Sequence, residues 1–85
     1  MYPKIIMDKV ELLAKLNELD ASEEMYSLEG GTPPERMVVE QNGTVFDVYY
    51  SERGVKVDLR TFLSIGEAYD YLYSVFKTWK EKGYL

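Results

Sequence analysis

The chain is predicted to fold as a single α+β domain over residues 1–85, a two-layer α/β sandwich in the order α-β-β-β-β-α. Three observations predict it. Stretches with helical apolar spacing open and close the sequence. Between them lie three β-branched, partly alternating runs separated by Asn-Gly and Glu-Arg-Gly turn signals. A further short alternating segment precedes these runs. Consecutive strands joined by tight turns form an antiparallel meander, here of three to four strands. Two helices with one apolar face each are expected to pack on the same side of that sheet.

The first helix is expected from about Lys9 to Leu19. Asp8 followed by Glu11 has the spacing of a capping box. Val10, Leu12, Leu13, Leu16 and Leu19 make a broad apolar stripe, with Glu11, Lys15 and Glu18 on the wet side. After the polar break Asp20–Glu24, Met25–Glu29 alternates as a short edge strand. Gly30, Gly31, Pro33 and Pro34 then rule out a helix or a central strand and predict an ordered surface loop. Its glycines precede no helix, so it is not a phosphate loop.

Arg36–Gln41 is the next strand, and Asn42-Gly43 predicts a type I′ hairpin turn. Thr44–Ser51 returns antiparallel. Phe46, Val48 and Tyr50 are expected to face the core, while Val45, Asp47, Tyr49 and Ser51 face a wetter, open side. Gly54 is expected to supply the positive φ of the following turn, with Arg53 in a structural role. In Val55–Phe62, Val55, Val57 and Leu59 are expected inward and Lys56, Asp58 and Arg60 outward. Ser64 and Glu67 mark a second capping box. Ile65, Ala68, Tyr69, Leu72, Phe76 and Trp79 then form one helical face that stops at Gly83, with Lys77, Lys80 and Lys82 near the negative end of the helix dipole.

Composition narrows the function. The chain has no cysteine and no histidine, which removes disulfides, thiolate metal sites and the commonest neutral-pH base. Fifteen acidic residues against ten basic ones give a net charge of −5. That balance opposes nucleic-acid binding and favours a basic protein partner. The opening segment resembles neither a signal peptide nor a membrane span, since Asp8 and Glu11 interrupt its apolar run. Its methionine suggests a complete small reading frame and a cytoplasmic location. No cofactor is implied. Asp47 and Asp58 on neighbouring strands would be the one carboxylate pair suited to acid–base work or a divalent cation. Ion pairing with Lys56, Arg53 and Arg60 on a solvated face is the ordinary alternative, and neither a metal site nor an enzyme is expected. Tyr2, Tyr71, Tyr73 and Tyr84 read as partly exposed, a feature of protein interfaces as well as of core rims.

The run YSLEGG, followed by DVYYSERGVKVDLRTF and then by SIGEAYDYL, resembles small bacterial immunity proteins of polymorphic-toxin systems. Their sequences read YSL-GG, then W-x-VYYSERG, then F-x-(S/T)-x-x-EA. Tyr26, Leu28, Gly30, Gly31, Tyr49, Tyr50, Ser51, Glu52, Arg53, Gly54, Phe62, Glu67 and Ala68 stand in matching places, and the likeness spans Tyr26 to about Leu72. Phe46 replaces a tryptophan frequent in the relatives, and Ala68-Tyr69 replaces Ala-Cys. The resemblance implies stoichiometric binding and neutralisation of a cognate toxin, such as a nuclease, without turnover. Its expected contacts are Glu23, Glu24, Asp47, Tyr49, Glu52 and Asp58. A self-associating structural or regulatory domain, with no catalytic activity, is the alternative. Either role is compatible with a monomer or a homodimer.

Overall fold

The computed structural model describes residues 7–85. It is an α+β fold in the predicted order: α1 (Lys9–Glu18), β1 (Tyr26–Ser27), β2 (Arg36–Asn42), β3 (Val45–Glu52), β4 (Val55–Phe62) and α2 (Ile65–Glu81). The strands form one sheet in the order β1-β2-β3-β4. Tyr2 lies outside the described residues, as do the first six residues of the segment read as neither leader nor span. Among the described residues, no helix is long and apolar enough to cross a membrane.

Both helices begin as expected. The Asp8 carboxylate accepts from the Glu11 N–H at 2.8 Å, and the Ser64 hydroxyl accepts from the Glu67 N–H at 3.2 Å. Each occupies one donor that a helix start leaves free. Both helices end in the same double hydrogen-bond motif. At α2 the Tyr84 N–H donates to the Trp79 carbonyl and the Gly83 N–H to that of Lys80, with Gly83 at φ +81°. At α1, Ala21 donates to Leu16 and Asp20 to Asn17, and Asp20 holds the left-handed position at φ +63°. The Lys80 ammonium reaches the Asp20 carboxylate at 2.8 Å, which joins the two helix ends.

The core lies between the helices and one face of the sheet. Leu12, Leu16, Ala68, Leu72 and Phe76 pack there with Met37, Val39 and Val48. The α1 stripe is narrower than expected. Leu12 and Leu16 are fully buried, whereas Val10 is 79% and Leu13 37% exposed. This ten-residue helix packs against α2 through one seam, and these two residues fall outside it.

The sheet departs from an all-antiparallel meander at β1, which pairs parallel with β2 (Tyr26 opposite Met37, Ser27 opposite Val38). The chain therefore needs a return path, and residues 28–35 supply it. Both hairpins have two-residue loops. In the first, Asn42 pairs with Val45, so the loop residues are Gly43 and Thr44 rather than Asn42 and Gly43. Of the two, only Gly43 has positive φ (+64°), the signature of a type II′ turn and not of type I′. In the second, Arg53 (φ +51°) and Gly54 (φ +79°) are both left-handed, and type I′ geometry is found here instead.

Between β3 and β4 the register slips. Val48 faces Arg60 and Tyr50 faces Val57, so β4 carries one extra residue across that step. Asp58, at φ +53°, lies in this bulge. A one-residue slip exchanges the faces of everything beyond it. Arg60 consequently shares the helix side with Val48, and Leu59, expected inward, is 45% exposed.

Candidate functional site

The face turned away from the helices was expected to be open and wet. It is instead covered by the return loop. Val38 and Tyr49, neighbours across β2 and β3, have no exposed surface, and Ser51 is equally buried. The Tyr49 hydroxyl donates to the Gly31 carbonyl at 2.6 Å. The Gly31 N–H donates to one Glu40 carboxylate oxygen at 3.1 Å, and the Lys56 ammonium donates to the other at 2.9 Å. That ammonium also lies 4.9 Å from the centroid of the Tyr49 ring. Loop, ring and ion pair thus form one closed cluster.

Gly30 fits closely against it, and a side chain there would have to displace that of Glu40. The φ of Gly30 is +74°, and a Cβ there would stand 2.8 Å from the Glu40 carboxylate. Burial raises the Tyr49 phenol above its usual range, with the Glu40 charge adding to the effect, so the hydroxyl stays a donor. The hydrogen bonds from Lys56 and from the Gly31 N–H hold the Glu40 carboxyl below its usual range.

Asp47 belongs to the same face and is 96% buried, at 4% exposure. Its two oxygens accept from the Thr61 hydroxyl at 2.7 Å and from the Asn42 side-chain amide at 3.2 Å. These bonds tie the first hairpin to β4. Two expected contact residues are therefore corrected. Tyr49 and Asp47 are internal, each held by named partners, and neither presents a surface to another protein.

Asp58 does not join Asp47. The bulge sets it at the rim of a cavity on the helix side of the sheet, lined by Met37, Tyr50, Val57, Tyr71, Val75 and Trp79 as well. The carboxylate pair considered for acid–base or metal chemistry is thereby lost, because the two groups lie on opposite sides of the sheet. Among the described residues, no cluster of three or more acidic side chains could hold a metal ion. Arg53 is not paired with Asp58 or Glu67 in any ion pair among the described residues. Its positive φ is its contribution to the turn.

The remaining expected contacts are exposed. Glu23 and Glu24 open the short 3-10 turn before β1, and Glu52 ends β3. Glu35, another exposed acid, holds φ +52° just before β2. Sequence reading did not single it out, and it lines a second cavity with Met25, Tyr50, Trp79, Tyr84 and Leu85. Tyr50 and Trp79 are common to both cavities, so the two are contiguous. Burial raises the Tyr50 phenol, and the charges of Glu35 and Glu52 raise it further. Tyr50, expected in the core, is only half-buried and forms the wall of an aromatic groove lined by Glu35 and Asp58, with Glu52 close enough to act on its phenol. The shared 3.6-residue spacing of Trp79 and the core residues concealed this, because Trp79 lies on the flank of the α2 stripe. Comparison with protein-family models, curated proteins and solved structures finds no match for this chain.

Proposed function

We propose that this chain is an immunity protein, one that neutralises a cognate bacterial toxin in the cytoplasm through stoichiometric protein–protein binding. The observation that carries the reading is how the motif residues of the resemblance are used. Gly30, Gly31 and Tyr49 meet in one clamp, and Arg53 and Gly54 make the turn beside it. The motif is thus accounted for as a scaffold, and no nucleophile or general base is needed to explain it. Outside the scaffold lie the exposed acids Glu23, Glu24, Glu35, Glu52 and Asp58, in a chain of net charge −5. Such a surface suits a basic partner and accelerates encounter with it.

Co-expression with the toxin domain encoded beside this gene tests the reading. Restored growth and a one-to-one complex on co-purification are expected. Toxicity that persists with the protein folded and abundant defeats it. A second reading, self-association, draws on the outer strand. β4 is eight residues long, lies at the sheet edge, and exposes Val55 and Leu59. Light scattering that reports a monomer at every concentration would exclude that reading.

A further inference from the structure

We infer that the cavity between α2 and the bulged part of β4 receives a lysine or arginine side chain of the partner protein. This rests on the proposed reading and names the chemistry of its contact. The cavity measures about 420 Å³, within the range of specific small-ligand sites. Its walls include Tyr50, Tyr71 and Trp79, whose ring faces attract cations, and Asp58 supplies a carboxylate at the rim. Glu52, at the end of β3, and Glu35, in the contiguous cavity, are near enough to Tyr50 to raise its phenol. An uncharged apolar occupant would leave these three carboxylates unused. An anionic one would be repelled by them.

The protein already makes a contact of this kind. The Arg60 guanidinium lies 5.4 Å from the centroid of the Tyr71 ring, on the helix side of the sheet where the slipped register puts it. Tyr71 is therefore partly engaged, and Tyr50 and Trp79 are left as the faces for an incoming cation. The bulge is what makes the arrangement. With regular pairing, Asp58 would fall in strict alternation with Lys56 and Arg60. Its left-handed conformation instead turns it to the cavity.

Trp79 is the only tryptophan of the chain, so its fluorescence reports on this cavity and the contiguous one it also lines. The intact protein would be titrated with N-acetyl-arginine amide and N-acetyl-lysine amide, with N-acetyl-norleucine amide as the uncharged control. A saturable change with millimolar affinity is expected for at least one cationic probe and none for the control. Asp58→Asn, which tolerates the left-handed backbone, should weaken binding at least fivefold while its unfolding midpoint stays close to that of the wild type. Glu35→Gln with Glu52→Gln is the second variant and should also weaken it, which keeps the test decisive should Asp58→Asn misfold. Equal responses to the cationic and uncharged probes, or no saturable response, would overturn the proposal. So would unchanged affinity in the folded variants. No toxin enters this experiment, so its failure is separable from a failure of the growth rescue.

Discussion

Replacing Tyr49 separates a clamped second face from an open one. On an open face, Tyr49→Phe would alter stability by less than about 0.5 kcal/mol, as surface substitutions do. In the structure the ring is fully buried and its hydroxyl donates to Gly31 at 2.6 Å. Phenylalanine keeps the ring and the Lys56 contact but removes the hydrogen bond, which is worth about 1 kcal/mol net. For a domain of this size that corresponds to a fall in Tm of roughly 4–8 °C. Tyr49→Ala also removes the ring, leaves a cavity beside Val38, and should cost ~3–5 kcal/mol. An 85-residue domain has only ~4–13 kcal/mol in total, so this variant approaches unfolding. Urea unfolding followed by Trp79 fluorescence measures both, and amide exchange at Gly31 reports the loop directly. The loop should open in Tyr49→Phe before the sheet does. A Tyr49→Phe midpoint equal to wild type, with unchanged exchange at Gly31, would refute the clamp.

Other consequences of the same cluster can be measured alongside. Gly30→Ala and Gly43→Ala both place a side chain at positive φ, but only the first drives a Cβ to 2.8 Å from Glu40. Gly43→Ala should cost about 1 kcal/mol and Gly30→Ala clearly more, and equal costs would show that the loop yields freely. Ser51 is buried and its hydroxyl has no partner among the described residues, so Ser51→Ala should be neutral or stabilising in the same urea assay. Glu40 has its folded pKa held below the unfolded carboxylate value. Its contribution is therefore full above about pH 4.3 and is lost as the pH falls through the depressed folded value. Glu40→Gln should flatten the acid limb of stability between about pH 5 and 3, and an unchanged acid limb would count against the Lys56–Glu40–Gly31 chain.

The elements of the fold were legible because their signals are local. Caps at Asp8 and Ser64 and the stop at Gly83 depend on backbone donors within a few residues, and the left-handed Gly54 depends on its own lack of a side chain. What sequence could not carry was the relation between distant segments. Tyr49 and Asp47 sit among alternating residues that look solvated. Only a loop eighteen residues earlier covers Tyr49, and only a strand fourteen residues later supplies Thr61 to Asp47. The bulge at Asp58 was hidden for a different reason. Val55–Phe62 alternates cleanly, and nothing in that pattern announces an extra residue. The left-handed conformation of Asp58 was within the range of Asp, but the choice is made by pairing with β3. One slip was enough to move Leu59 outward and Arg60 onto the helix side.

The sheet is therefore asymmetric in a way that bears on where a partner can dock. Its second face spends its polar groups internally: Glu40 on Lys56 and Gly31, Asp47 on Thr61 and Asn42, Tyr49 on Gly31. Groups that already satisfy one another gain little from a newcomer, and for the buried Asp47 and Tyr49 a broken bond would leave an unpaired polar group inside. At the groove the balance is reversed. Glu35, Glu52 and Asp58 are exposed and are absent from the ion pairs among the described residues, and Trp79 and Tyr50 offer aromatic surface beside them. For the basic partner proposed above, the charge contact and the ring face found here would offset the hydration its cation gives up. The clamp fixes β3 through Tyr49, and Tyr50 is the next residue along the same strand. The held ring and the wall of the groove are thus adjacent residues of one strand, and a pre-formed wall is what the proposed binding role would use, because less ordering would accompany association.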